Sequence, residues 1–215
     1  IANPFFTTLA RGVEDMASRA SYTVIFCNTD ESAEKERKYL NLLIQKQVDG
    51  ILLVPSSSVP ESVQFIQKHA TPVVVLDRRI AGIEVDTVRA DSEAGAYQLV
   101  RLLVELGHRR IAILNGPPDI STAIDRFAGY RRALAEAGLA LDHSLVFQGA
   151  FRQESGYQMA TQALALQPRP TALFASNNFI GIGAMNALRD ARLRVPEGVA
   201  LVGFDDLPQA MVIFP

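Results

Sequence analysis

Residues 96–114 read Ala96-Tyr97-Gln98-Leu99-Val100-Arg101-Leu102-Leu103-Val104-Glu105-Leu106-Gly107-His108-Arg109-Arg110-Ile111-Ala112-Ile113-Leu114, and this stretch decides the fold. Ala96, Leu99, Val100 and Leu103 recur at the three- and four-residue spacing of one helix face. Gly107 stands where a helix C-terminus takes a left-handed residue. The run 110–114 then continues with almost no polar interruption, as a strand buried on both faces must. A helix that feeds such a strand is the unit from which parallel α/β sheets are built.

Working outward, the same rhythm repeats. Apolar runs fall at 22–27, 51–54, 73–76, 145–147, 172–175 and 199–203, with a weaker piece at 86–89. Between them lie helical stripes: Phe6, Leu9, Val13, Met16 and Ala20; Leu40, Leu43, Ile44 and Val48; Phe127, Tyr130, Arg131 and Leu134; Ile182, Met185 and Leu188. The first two stripes are expected to face a sheet. Asn3-Pro4 reads as an N-cap with proline at the first helical position, and Gly138 as a second C-terminal glycine. Glu31 before Lys35 and Glu34 before Lys38 read as ion pairs on a solvated helix face. The segment 79–90 lacks strong periodicity, which places a domain boundary near Ala90 and divides the chain into lobes 1–90 and 91–215. A helix opens at Pro4 with no strand ahead of it, and no helix follows the last strand, so the α/β series reads as clipped at both ends, without its first strand and its final return crossing.

Composition narrows the function. The 215 residues are 48% hydrophobic and 20% charged, enough for a substantial core. No run reaches the roughly 18 apolar residues of a membrane helix, and no signal peptide is visible at the start. The net charge is −2 with scattered arginines, so this segment lacks the basic stripe of a nucleic-acid surface. Cys27 is the single cysteine and reads as a small packed hydrophobe. His69, His108 and His143 stand apart from any nucleophile or metal-ligand spacing, and no phosphate-cradling glycine loop occurs, so no catalytic residue, metal or cofactor is expected. Asp205-Asp206 is not read as a metal pair, because neighbouring side chains on extended backbone point apart.

Ligands of parallel α/β sheets bind at the carboxyl ends of the strands, so the residues that end each apolar run are the ones to read. They are Asp77 and Arg78, Phe151, Ser176, Asn177 and Asn178, and Asp205 and Asp206, with Asn3, Phe5 and Phe6 opening the first helix. Carboxylates, carboxamides and arginine match vicinal hydroxyls, and phenylalanine rings give flat walls, a mixture suited to a sugar-like ligand. Capping and turn formation is the alternative role for Asn3, Ser176, Asn177 and Asp205.

The motifs Asn3-Pro4-Phe5-Phe6, Val48-Asp49-Gly50-Ile51-Leu52, Val75-Leu76-Asp77-Arg78, Leu106-Gly107-His108-Arg109-Arg110-Ile111-Ala112, Asp125-Arg126-Phe127-Ala128-Gly129-Tyr130 and Val202-Gly203-Phe204-Asp205-Asp206 follow in this order. End to end, the chain resembles the effector-binding core of lactose-repressor and galactose-repressor type regulators, whose fold is shared with periplasmic sugar-binding proteins. The resemblance implies two Rossmann-like lobes with an effector in the cleft, a cytoplasmic homodimer, and operator DNA bound through an upstream helix-turn-helix head. By matched position it gives effector contacts to Phe5, Phe6, Asp77, Arg126, Phe151, Asn177 and Asp205, with Asn3 and Arg78 beside them. Asn178 departs from the family pattern, which has aspartate after the matched asparagine. The alternative on the same fold is a periplasmic sugar-binding protein of a transport system; the Leu-Gly-His-Arg-Arg-Ile-Ala and Gly-Phe-Asp-Asp motifs resemble the regulator branch.

Overall fold

A computed structural model describes residues 3–206, and the chain divides into two compact units, Ile1–Ala90 and Asp91–Pro215. In the first unit the elements run α1 (Pro4–Arg19), α2 (Ala33–Gln45), β1 (Ile51–Leu53), α3 (Glu61–Lys68), β2 (Val73–Leu76) and β3 (Asp86–Val88). Strands pair in parallel in the order β1-β2-β3, with Ile51 opposite Val73 and Val74 opposite Asp86. Leu40 from α2, Val63 and Ile66 from α3, Ile51 and Leu53 from β1, Val75 from β2 and Ile80 form its core. The second apolar stripe thus covers the sheet as expected, with Leu43, Ile44 and Val48 packed around that core.

Three expectations fail in this unit. Residues 22–27 join no ladder, and Tyr22, Ile25 and Phe26 are 59%, 59% and 48% exposed. Apolar patterning provides strand propensity, but a strand exists only where a neighbour accepts and donates its backbone hydrogen bonds, and among the described residues the ladders of this unit join β1, β2 and β3 alone. The stripe of α1 does not cover a sheet as expected: no residue of the helix is buried. Its start agrees with the sequence, Asn3 Oδ1 accepting from Phe5 N at 3.0 Å with proline at the first helical position. The weak piece near 86–89 does form a strand, β3. The surface pairing of α2 is also different. Glu31 precedes the N-cap Ser32, and Lys35 pairs with Asp30 at 2.8 Å, leaving Glu31 to reach Arg78.

The second unit runs α4 (Ser92–Glu105), β4 (Ile111–Asn115), α5 (Ser121–Glu136), β5 (Val146–Gln148), α6 (Gln153–Ala165), β6 (Ala172–Ala175), α7 (Asn178–Asp190) and β7 (Ala200–Gly203). All four strands are parallel in the order β5-β4-β6-β7. Gly107 and Gly138 sit at φ 92° and 70°, as the sequence requires of them. Alternate strand residues feed two cores. Ile111, Ile113, Ala172 and Phe174 join α4 and α5 through Val100, Leu103, Tyr130 and Leu134. Ala112, Leu114, Leu173 and Ala175 join α6 and α7 through Met159, Ala160, Ile180 and Leu188. Because the chain leaves β4 to one side for β5 and returns to the other for β6, the crossovers reverse between β4 and β6, the place at which open α/β sheets bind ligands.

Candidate effector-binding site

Each parallel sheet delivers its polar residues at the carboxyl ends of the strands. In the second unit, Arg126 projects from the second turn of α5 and is 6% exposed. Its Nη1 donates to the Ser176 carbonyl at 2.8 Å, and its guanidinium lies 4.0 Å from the centroid of the Phe204 ring. It thus lies against the residues that end β6 and β7. Asn177 caps α7, its Oδ1 accepting from Ile180 N at 2.8 Å. That bond fixes the carboxamide so that Nδ2 is the end left to donate elsewhere. Asn178, in place of the family's aspartate, is buried, and its Oδ1 accepts from Phe179 N at 2.8 Å.

Asp205 has φ 70°, a conformation that costs most residues about 1 kcal/mol. Burial pushes its carboxyl above the ordinary carboxylate range; Arg126 pulls it back in part, and Asp206 adds to the rise. A carboxyl raised in this way binds its proton more tightly folded than unfolded. Its favourable contribution is complete below the unfolded pKa and is lost as pH rises through the folded value. At neutral pH the ionised Asp205 therefore weakens the unliganded fold. Asp205→Asn, which removes the charge and tolerates the left-handed backbone, is expected to raise the melting temperature of the unliganded protein, with a gain that shrinks on acidification. A melting series across pH checks both.

Phe151 follows β5 and is the central residue of a tight turn in which Arg152 N donates to Ala150 O at 2.8 Å. It is 9% exposed and packs in the α6–α7 core, against the backbone of Gly116. A Cβ on Gly116 would stand 2.1 Å from the ring, so glycine is what lets the aromatic lie there.

In the first unit, Asp77 follows β2 at φ 67°, with Arg78 N donating to Leu76 O at 2.7 Å across it. This is a γ-turn of the strained, left-handed kind. Asp77 N donates to Val88 O of β3 at 2.9 Å, so both neighbouring backbone amides are held and the half-buried carboxylate is carried on a rigid turn. Arg78 is 3% exposed. Its Nη1 donates to Pro55 O at 2.6 Å and its Nη2 pairs with Glu31, which ties the ends of β1 and β2 to the start of α2. Phe5 and Phe6 are half-buried, with ring centroids 5.1 Å apart at 73°.

The structure brings Arg126, Asn177 and Asp205 to one end of one sheet, and Asp77 and Arg78 to the corresponding end of the other. Glu31 and Glu36 were missed by sequence reasoning. Glu36 is buried and accepts from Ser56 N and Ser62 Oγ at 2.5 Å each, clamping the loop that follows β1. A lone glutamate in a charged helix carries no local sign of such a partner twenty residues away. Among the described residues no group of histidine, cysteine and acidic side chains could hold a metal, and no helix is long and apolar enough to cross a membrane.

The family profile described as periplasmic binding proteins and sugar binding domain of LacI family matches residues 2–215. The HTH-type transcriptional repressor PurR of Vibrio atlanticus (strain LGP32) is 35% identical over 214 residues, 99% of this chain and 64% of that protein. PurR of Haemophilus influenzae (strain PittEE) is 35% identical over 205 residues, 95% of this chain and 61% of that protein. The chain therefore spans a little under two thirds of the length of these relatives. Among solved structures, the transcription regulator CcpA of Lactococcus lactis superposes with a TM-score of 0.88 at 32% identity, covering 94% of this chain and 74% of that one. The transcriptional regulator CelR in its cellobiose complex gives 0.88 at 33% identity, covering 95% and 63%.

Proposed function

The chain belongs to the family of periplasmic binding proteins and sugar-binding domains of LacI-type regulators, and on that premise we propose that it is the effector-sensing core of a transcription repressor. The observation that carries this reading is the convergence of Arg126, Asn177 and Asp205, from α5, the start of α7 and the end of β7, beside the point where the crossovers reverse. A desolvated carboxylate and a buried guanidinium set among hydrogen-bond donors suit a small polyhydroxylated or similarly polar molecule. In this reading Asp205 and Asp77 accept from ligand hydroxyls, Arg126 and Asn177 donate, and Phe5, Phe6 and Phe151 supply apolar walls. Asn3 and Arg78 hold these contacts in place. The protein turns over no substrate and needs no cofactor.

Operator DNA is contacted by a helix-turn-helix segment outside residues 1–215, in a cytoplasmic homodimer. The relatives' names as repressors support this, as does the net charge of −2, since phosphate-tracking surfaces are strongly basic. The test is a mobility-shift assay at physiological salt. The full-length polypeptide is expected to retard a pseudo-palindromic site in an effector-dependent way, and residues 1–215 alone to retard none. Specific retardation by residues 1–215, or a full-length protein indifferent to DNA under every effector tried, contradicts the proposal.

A further inference from the structure

Strands β4 and β6 lie side by side with Leu114 level with Ala175, so the next residues, Asn115 and Ser176, come level at the carboxyl ends, where the crossovers reverse. Ile111 and Ile113 of β4, and Ala172 and Phe174 of β6, face one layer; Asn115 and Ser176 continue those two alternating series. Both are buried, at 2% and 0% exposure. Asn115 Nδ2 donates to Ala123 O of α5 at 3.1 Å, but Asn115 Oδ1 and Ser176 Oγ have no partner among the described residues. Two such oxygens on one face of adjacent strands, about 4.8 Å apart backbone to backbone, are costly to leave unmatched. A carboxamide oxygen only accepts, whereas a hydroxyl donates or accepts. One water satisfies both, donating to Asn115 Oδ1 and sharing a bond with Ser176 Oγ. Ser176 is also the residue whose carbonyl receives Arg126 Nη1, so whatever fixes Ser176 fixes the seat of Arg126.

We propose that Asn115 and Ser176 form an internal hydration site whose single water locks the β6–α7 turn, making both positioning residues for Arg126. The hydration site stands whatever Arg126 binds; its importance for sensing rests on the effector reading above. Three measurements on the full-length protein test it. A crystal structure at atomic resolution is expected to show an ordered water within hydrogen-bond distance of both oxygens; the two side chains bonded directly to each other, with no water, overturns the proposal. Ser176→Ala removes one oxygen atom. If that atom were unsatisfied, its loss would leave the melting temperature unchanged or raise it, and either result overturns the proposal; a water-bonded hydroxyl makes it fall by several degrees. Finally, side-chain NMR should show the Arg126 guanidinium protons exchanging with solvent several-fold faster in Ser176→Ala, whereas unchanged exchange overturns the positioning role.

Discussion

Gly183→Ala is expected to destabilise the second unit by about 3 kcal/mol or more, at or beyond the upper end of what overpacking ordinarily costs. A Cβ at this position in α7 would stand 2.1 Å from Gln153 O and 2.6 Å from Tyr157 N, both backbone atoms of α6. Side chains can rotate away from a methyl group, but backbone of a packed helix cannot. The insertion therefore forces α6 and α7 apart and opens the core that Met159, Ala160, Ile180 and Leu188 fill. The reciprocal contact is as close, since a Cβ on Gly156 would stand 2.4 Å from Ile180 O. Thermal unfolding should register a fall on the order of 10 °C for Gly183→Ala, taking about 2–4 °C per kcal/mol for a chain of this size. Gly12→Ala is the control. That glycine lies inside α1, and a methyl group added to it would meet nothing within 4 Å, so the substitution should be neutral or stabilising, by up to about 1 kcal/mol.

Arg126→Ala is expected to abolish effector binding at working concentrations. The guanidinium is buried, holds the Ser176 carbonyl, covers the Phe204 ring and restrains the rise in the Asp205 carboxyl. Its removal deletes a donor and leaves a carboxylate desolvated without its nearby cation. Truncating one member of a buried charged pair costs about 2–5 kcal/mol, roughly a 30- to 5,000-fold loss of affinity. Calorimetric titration reads the loss. Arg126→Lys should recover little, because a single ammonium cannot both donate to the Ser176 carbonyl and lie flat on the Phe204 ring as a guanidinium does. Wild-type affinity in Arg126→Ala would remove Arg126 from the site.

Much of this architecture can be read from the chain. The run 110–114 and the glycines at 107 and 138 sit where local rules require, because helix ends and doubly buried strands are decided by neighbours in sequence. Asp77, Asn177 and Asp205 are reached by one step beyond local structure, the rule that parallel sheets present ligands at strand ends, whereas Arg126, inside α5, is reached only through the family resemblance. The failures share a cause. Residues 22–27 have strand composition, but strand formation depends on a hydrogen-bonding neighbour that composition does not specify. Glu31 and Glu36 look like surface charges on the helix pattern, yet Glu31 reaches Arg78, 47 residues on, and Glu36 reaches Ser62, 26 residues on. Asn115 stands one residue beyond the apolar run 110–114, and that its oxygen has no partner among the described residues is visible only once β4 and β6 are set side by side. Phe151 is legible as a residue of the rim, but its burial against Gly116 is not, since that contact depends on how the turn after β5 folds back.

The central claim is that the polar rim of the sheets binds a small effector, and a ligand titration followed by thermal unfolding tests it most directly. Sugars, polyols, sugar phosphates and nucleobases are screened against the full-length protein, and any hit is titrated against the wild type and Asp205→Ala. A ligand that binds only the folded state raises the melting temperature progressively with its concentration. The account predicts such a rise for one chemical class in the wild type and its loss, by roughly tenfold or more in apparent affinity, in Asp205→Ala. A hit whose titration is the same in wild type and variant would contradict it.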